Sequence, residues 1–195
     1  MKWIVNAAAI LALSVSLAGL GGCSAGPSAM ELIEENVKSE LDLITSDPTA
    51  LADGIAESMG QELDALGVDA EAFSEAYFEG YEYTIDMVNV DEDAGTAIVT
   101  VSMTCKPMVA VVERFKMLFT EKVNSVDLND MTQDDLYKLG GKMLMDAVKS
   151  VEPTETNIHL YYSKDEDGDW KASDKAVQEL TNALKGSVEP EDGAE

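Results

Sequence analysis

Apolar residues recur along this chain with two different periods, and each period predicts a different kind of element. Before residue 82 they return at intervals of three and four, which places them on one side of a helix. The pattern predicts three successive helices, over residues 30–44, 48–66 and 70–81, with Asp47 as the N-cap and Pro48 as the first residue of the second. Gly67 and Asp69, between the second helix and the third, are a typical helix stop and a typical N-cap.

Beyond residue 82 the period changes to two, as in a β-strand with one buried face. Turn residues at 91–95 separate two such stretches, so the sequence predicts a β-hairpin. In its first strand, one face is expected to carry Tyr83, Ile85 and Met87, and the other Thr84, Asp86 and Val88. In its second strand, the apolar face is expected to carry Ala97, Val99, Val101, Met103 and Cys105.

The second half of the chain repeats this change of period. Two further helices are expected, the first opened by Pro107 and the second over residues 132–151, which begins with a capping box of Thr132 and Asp135. The pair Gly140-Gly141 lies within the second of these helices. It indicates either close packing against a neighbour or a kink beside a pocket.

The remaining elements complete the alternation of helices and hairpins. A second hairpin is expected at 157–163 and 170–172, joined by an acidic turn at 164–169, and a final helix at 173–186. The predicted order is therefore ααα-ββ-αα-ββ-α. This order indicates an α+β fold, in which N-terminal helices accompany a curved antiparallel sheet of two hairpins.

An apolar stretch precedes the first helix. Residues 4–20 are almost entirely apolar, and small residues then lead to a cysteine in the run Leu20-Gly21-Gly22-Cys23. This is the plan of a secretory signal. An ordinary signal peptide and an uncleaved membrane helix are the alternative interpretations, because about 20 apolar residues are enough to cross a bilayer.

The last four residues of that stretch resemble the lipobox of bacterial lipoprotein signals. The resemblance implies cleavage before Cys23 and a thioether-linked diacylglycerol on its sulfur, with acyl chains such as palmitate. The chain then divides into a signal peptide (1–22), a lipidated cysteine with a short tether (23–29), one α+β domain (30–188) and an acidic disordered tail (189–195). We therefore expect an extracytoplasmic protein that is anchored to the cell membrane.

Acidic residues greatly outnumber basic ones. Removal of residues 1–22 leaves 12 Lys and Arg against 38 Asp and Glu, a net charge of −26. This charge argues against nucleic acid as a partner, because binding phosphates needs a basic surface. The acidity is typical of a well-solvated surface, and attraction of a cationic partner or of loosely bound cations is the alternative.

The two cysteines are predicted to have separate roles. If Cys23 carries lipid, Cys105 has no partner, so we expect no intrachain disulfide. Cys105 ends the apolar face of its strand, where a small buried hydrophobe is expected in preference to a reactive thiol.

Motifs for catalysis, cofactors and metals are missing from the sequence. It contains no glycine-rich phosphate loop, H-E-x-x-H, C-x-x-C or G-x-S-x-G, so we expect no cofactor, metal site or catalytic residue. The acidic run from Asp165 to Asp169 departs from an EF-hand loop, since its glycine is fourth instead of sixth and Ala176 takes the twelfth position. A polar hairpin turn is the better interpretation.

A set of tyrosines with the single histidine is the best candidate for a binding site. Tyrosines that line a cavity combine apolar walls with hydroxyl donors, which suits a small-molecule pocket. The candidate pocket residues are Tyr77, Tyr81, Tyr83, Asp86, His159 and Tyr161, with Tyr162 beside them. Packing in the core and at its rim is the alternative role for the tyrosines, and a structural hydrogen bond is the alternative for His159.

Two stretches of the chain resemble a known family. They are Tyr83 to Val90 with Ala97 to Thr104, and Ile158-His159-Leu160-Tyr161-Tyr162 leading to Gly168-Asp169-Trp170-Lys171. They resemble cystatin-like or nuclear-transport-factor-2-like domains, as found in a group of uncharacterised lipoproteins of Gram-positive anaerobes. This resemblance implies a cone-shaped, curved sheet wrapped by helices around a cavity. Some members of the family are isomerases or dehydratases that act in that cavity, and many only bind.

The sequence therefore favours a membrane-anchored binding or assembly module without enzymatic activity, whose protein or small-molecule ligand it does not name. An enzyme that uses the cavity through His159, Asp86 and tyrosines is one alternative. Weak cation binding by the acidic loops is the other.

Overall fold

The computed structural model describes residues 27–46, 48–125 and 131–186. Several predicted segments lie outside the described residues: the signal peptide 1–22, Cys23 with the first part of the tether 23–29, the last two residues of the predicted domain and the acidic tail 189–195. Within the three described ranges, no helix combines the length and the hydrophobicity that a bilayer crossing requires.

Six helices and four strands make up the described part of the chain. They follow one another as α1 (Ala29–Ser46), α2 (Pro48–Ala65), α3 (Ala70–Phe78), β1 (Glu82–Asp91), β2 (Thr96–Cys105), α4 (Met108–Ser125), α5 (Gln133–Ser150), β3 (Thr154–Lys164), β4 (Trp170–Ala172) and α6 (Asp174–Lys185). The strands form one open antiparallel sheet in the order β1-β2-β3-β4, with β1 and β4 at its edges. This arrangement confirms the predicted α+β class with a single antiparallel sheet.

Side-chain caps fix the residues at which two of the helices begin. At the start of α3, the Asp69 carboxylate accepts a hydrogen bond from the Ala72 amide at 2.9 Å. At the start of α5, Thr132 and Asp135 exchange hydrogen bonds between side chain and backbone, which confirms the predicted capping box. A cap of this kind contributes about 1 kcal/mol to stability.

The third helix ends earlier than its apolar pattern predicts. Its last residue is Phe78, and Gly80 follows with a φ of 79°, a left-handed conformation that favours glycine. Tyr81, which the pattern assigned to this helix, therefore lies in the connection to β1, although its side chain is still buried.

One face of the sheet is covered by helices and forms the larger of two apolar cores, which we call the sheet core. The odd-numbered residues of β2, from Ala97 to Cys105, are buried there, as their alternation predicts. The helices that pack against this face are α1 and α6. They contribute Ile33, Val37, Leu41, Ile44, Ala176, Leu180 and Ala183.

A second core, the helical core, lies among α2, α3, α4 and α5. Its buried residues are Ile55, Leu63, Val68, Phe73, Ala76, Tyr77, Val111 and Val148. Phe78 packs against both cores. The Tyr77 hydroxyl donates a hydrogen bond to the Leu184 carbonyl of α6 at 2.7 Å, so the two cores lie side by side.

Lys106 joins the two cores where the sheet meets the helices. The residue follows β2 directly, and its side chain is only 3% exposed. Its Nζ atom donates hydrogen bonds to the carbonyls of Ala76 (2.8 Å) and Val148 (3.1 Å) and pairs with Glu79 at 3.2 Å. Ala76 and Val148 lie in the last turns of α3 and α5, where unpaired carbonyls and the helix dipole favour a cation.

A β-bulge in β1 changes which residues share a face of this strand. The register with β2 shifts between Ile85 and Met87, and Asp86 is the additional residue. Beyond the bulge, Val88 and Val90 pack against the sheet core, whereas Met87 is 58% exposed. The prediction that Met87 shares a face with Tyr83 and Ile85, and Val88 with Thr84, is therefore wrong, because the additional residue reverses the alternation.

The glycine pair of α5 marks a close contact between elements. The helix continues through the pair without a break. A Cβ atom on Gly141 would lie 2.1 Å from the Leu66 carbonyl oxygen, and one on Gly140 would lie 3.0 Å from Leu66 Cδ2. Close packing, the first of the two interpretations of this pair, therefore explains why α5 accepts two residues of low helix propensity.

Candidate functional site

The face of the sheet opposite the sheet core is uncovered within the described residues, and we call it the open face. Both α1 and α6 pack on the other side of the sheet. The open face consists of Thr84, Asp86, Met87 and Asn89 on β1, Ile98, Thr100, Ser102 and Thr104 on β2, and Asn157, His159 and Tyr161 on β3. Most of these side chains carry hydroxyl, amide, carboxylate or imidazole groups, so the surface can both donate and accept hydrogen bonds.

Ser102 is the centre of a hydrogen-bond network on the open face. In the register of the sheet it lies between Thr84 of β1 and Asn157 of β3. Its Oγ atom donates to Asp86 Oδ2 at 2.6 Å and lies 2.9 Å from Asn157 Oδ1. The bulge allows this contact, because Asp86 as the additional residue lies on the same face as Ser102. A carboxylate, a hydroxyl and an amide are thus held together at the surface.

His159 and Tyr161 occupy the β3 side of the open face. His159 pairs with Thr100, whose Oγ1 atom lies 3.3 Å from His159 Nδ1. The ammonium group of Lys175 lies over the Tyr161 ring, 4.0 Å from its centroid. A hydroxyl group, not a carboxylate, therefore orients the imidazole, which suits a hydrogen bond to a ligand better than general-base catalysis.

The structure divides the predicted pocket residues between the two faces of the sheet. Asp86, His159 and Tyr161 lie on the open face. The other three, Tyr77, Tyr81 and Tyr83, pack on the side of the helices, and so does Tyr162. The sheet itself separates the two groups, so they do not line a common cavity.

Tyr83 and Tyr162 connect the sheet to α1 by hydrogen bonds. The Tyr83 hydroxyl donates to Asp42 Oδ1 of α1 at 2.5 Å. Burial, followed by this bond to a carboxylate, raises the pKa of Tyr83 to about 12. Burial also raises the pKa of Tyr81, whose hydroxyl has no hydrogen-bond partner among the described residues. Their role here is packing, the alternative that the sequence left open.

A shallow, open pocket of about 370 Å³ lies at the end of the sheet where β1 begins. Its walls include Tyr81, Tyr83, Ser102, Thr104 and Glu155. Ser102 and Thr104 belong to the open face, whereas Tyr81 and Tyr83 pack on the side of the helices, so this open pocket lies at the edge of the sheet where the two sides meet.

The acidic turn between β3 and β4 is closed by its own hydrogen bonds. Asp165 Oδ1 accepts from the amides of Asp167 (3.0 Å) and Asp169 (2.9 Å), and the other carboxylate oxygen pairs with Lys171. The hydrogen bond from Lys171 and those from the backbone lower the pKa of Asp165. In the described part of the chain, no group of three or more metal-ligating side chains comes together. The loop is a hairpin turn, as its spacing predicts.

Cys105 is buried at the end of β2, which confirms the predicted place of its side chain on the apolar face. Its Sγ atom lies 3.8 Å from the Ala183 carbonyl oxygen, to which it donates a weak hydrogen bond. Burial raises the pKa of the Cys105 thiol to about 11. Because the thiolate is the nucleophile, this thiol is unreactive at neutral pH and serves as a small apolar side chain.

Glu40 is a buried carboxyl group that the sequence analysis missed. The side chain is 8% exposed, and the Tyr162 hydroxyl donates to its Oε2 atom at 3.4 Å. The Oε1 atom has no hydrogen-bond partner among the described residues. Burial raises the pKa of Glu40 to about 7, although the bond from Tyr162 acts in the opposite direction. Its position beside Val37 and Leu41, on the apolar stripe of α1, was the available signal.

Glu40→Gln is expected to stabilise the protein at pH 8 and to change little at pH 4. Below pH 4.5, the Glu40 carboxyl group is protonated in both the folded and the unfolded chain. Between pH 4.5 and about pH 7 only the unfolded chain releases this proton, so the free energy of unfolding falls as the pH rises. One pKa unit corresponds to about 1.4 kcal/mol, so the gain at pH 8 should reach about 3 kcal/mol. Urea denaturation at a series of pH values measures this change.

Glu34→Gln is the matched control, because Glu34 is an exposed carboxylate on the same helix. It reports the general effect of removing one negative charge from an acidic protein. If both variants show the same dependence on pH, the buried and strained state of the Glu40 carboxylate is contradicted.

Comparison with known proteins finds one distant structural similarity. No protein-family model and no curated protein matches the chain. The chain is similar to the crystal structure of "a putative lipoprotein (ycdA)" from Bacillus subtilis, with a TM-score of 0.39 and 16% sequence identity. The match covers 82% of this chain and 48% of that one, so the chain spans about half the length of this protein.

Proposed function

We propose that this chain is an extracytoplasmic bacterial lipoprotein, anchored to the cell membrane by a diacylglycerol on Cys23, and that its folded part is a non-enzymatic binding module. The ligand lies on the open face of the sheet. The observation that carries this proposal is the contrast between the two faces. Helices close one face, and the other presents an ordered array of polar groups to solvent.

The chemistry of the open face supports binding. Ser102, Asp86 and Asn157 are held by one another before any ligand arrives, which lowers the entropy lost on association. Met87 and Ile98 are 58% and 40% exposed and add apolar contacts among the polar groups. An open surface of this kind suits a polymer or a protein segment better than a small molecule, which binds in an enclosed, concave site.

The short tether supports a position close to the membrane. The first helix begins at Ala29, six residues after Cys23. Even when fully extended, such a tether reaches only about 20 Å. Two acyl chains suffice for stable anchoring. The module would therefore meet ligands at the outer surface of the membrane.

The proposal extends to the fold. We regard residues 30–188 as one domain, and its sheet as a variant of the curved sheet of cystatin-like and nuclear-transport-factor-2-like domains. The bulge between Ile85 and Met87 supports curvature, because a bulge bends its strand and increases the local twist.

Metabolic labelling with a fatty acid tests the anchor. The protein should carry the label and sediment with membranes, because two acyl chains hold it there. Cys23→Ala should abolish the label and release the protein from the membrane fraction. A labelled Cys23→Ala variant would contradict the assignment of the anchor.

Thermal denaturation against soluble glycans, peptides and metal ions tests the open face. A ligand at 100 times its Kd raises the free energy of unfolding by about 2.7 kcal/mol. Combining Thr100→Ala with His159→Ala should abolish that shift and change the ligand-free stability by less than about 1 kcal/mol.

Thr120→Ala, which removes an exposed hydroxyl group from α4, is the matched control and should leave the shift intact. If no ligand produces a shift and the double variant unfolds much more easily, the open face is structural and the proposal fails.

A further inference from the structure

We propose that the free edge of β1 binds an extended segment rich in lysine or arginine from another protein, which adds to the sheet as a further strand. β1 is the first strand in the sheet order, and within the described residues it pairs only with β2. The backbone groups on its other side are available for a ladder of hydrogen bonds. This inference adds a second site, at the edge of the sheet, to the proposed binding module, and in that sense it rests on the proposed function.

The bulge restricts the usable part of the edge to Met87–Asp91. Regular pairing with β2 resumes at Met87 and continues to Asp91, so the backbone is extended over this segment. Five residues in this conformation span about 16 Å, enough to pair with a short peptide. The side chain of Met87 is 58% exposed at the start of the segment and can contact an apolar residue of the added strand.

Charge selects the occupant of this edge. Residues 39–105 contain 16 Asp and Glu and no Lys, Arg or His. Asp86 lies at one end of the pairing segment, and Asp91, Glu92 and Asp93 lie at the other, all of them exposed. Carboxylates at both ends attract a basic segment and orient it along the strand, whereas an acidic segment is repelled.

The same charges exclude a second copy of this chain. Pairing of two β1 edges would bring the carboxylates of both copies together, and like charges on neighbouring strands are destabilising. A bulge and charged side chains are also the features by which natural sheets prevent edge-to-edge association. The edge of β1 therefore disfavours pairing with a second copy of this chain and favours a cationic strand. Specificity comes from repulsion of the first as well as attraction of the second.

Three synthetic peptides of about nine residues test the proposal with the mature lipidated protein in detergent. The first alternates lysine and threonine, the second has the same sequence with methylated backbone nitrogens, and the third replaces each lysine with glutamate. Fluorescence anisotropy measures affinity, and hydrogen exchange follows the amides of residues 87–91.

The lysine peptide should bind and slow exchange at those amides. The methylated peptide should bind about tenfold more weakly, because it keeps the charge but has no backbone donors, and the glutamate peptide should not bind.

Two double variants with the same change in net charge separate the edge from the rest of the acidic surface. Combining Asp86→Asn with Glu92→Gln should weaken binding of the lysine peptide about fivefold, since two charges beside the segment are lost. Combining Glu71→Gln with Glu75→Gln removes two exposed carboxylates of α3 and should leave the affinity nearly unchanged.

Three results would overturn the proposal, because each would assign peptide binding to general electrostatic attraction. They are equal affinity for the lysine peptide and its methylated form, equal weakening by the two double variants, and binding without slower exchange at residues 87–91. Failure of the lysine peptide to bind would overturn it as well. If a ligand still stabilises the protein through Thr100 and His159, that failure removes the edge site and leaves the proposed function standing. If the lysine peptide does not bind and no ligand stabilises the protein through Thr100 and His159, both the edge site and the proposed function are contradicted.

Discussion

The buried ammonium group of Lys106 is the interaction on which the arrangement of this protein depends. The residue extends from the end of β2, and its Nζ atom is bonded to the carbonyls of Ala76 in α3 and Val148 in α5. Near a helix end these carbonyls lack helical partners, and a buried cation without hydrogen bonds would cost several kcal/mol. The ammonium group and the carbonyls satisfy each other's hydrogen-bonding capacity, so the helical core is held at a fixed position against the sheet.

Polar groups have opposite roles on the two sides of that sheet. On the covered side they are few and lie deep, as with Glu40, whose burial destabilises the folded state at neutral pH. On the open side they are numerous and bonded across strands, as with Ser102 and its partners. The proposed binding surface rests on this contrast between the two sides of the sheet.

Elements with strong periodicity could be predicted from the sequence, and local exceptions could not. The alternation of Ala97 to Cys105 gave the buried face of β2 correctly, because the additional residue of the bulge lies on β1 and β2 itself has none. The same reasoning failed at Met87, since one additional residue at a bulge reverses the faces without changing the composition of the strand.

The candidate site was harder to predict because it depends on tertiary structure. Residue type groups Tyr77 with Tyr161, but the packing of the helices places Tyr77 in the helical core and Tyr161 on the open face of the sheet. Residue type alone suggested exposure for Lys106 and Glu40, and only the packing of helices against the sheet buries them. A lysine directly after an apolar strand, and a glutamate within an apolar stripe, are the sequence signals that such burial leaves.

Unfolding of the mature protein followed by two probes tests this account most directly. Fluorescence of Trp170 reports on the sheet core, and far-ultraviolet circular dichroism reports on the helices. If Lys106 fastens the two cores into one unit, both denaturation curves of the wild type share a midpoint, and Lys106→Met lowers the free energy of unfolding by about 3 kcal/mol. Lys142→Met, at an exposed ion pair, should change it by less than about 0.5 kcal/mol. Separate midpoints in the wild type, or no loss of stability in Lys106→Met, would contradict the account.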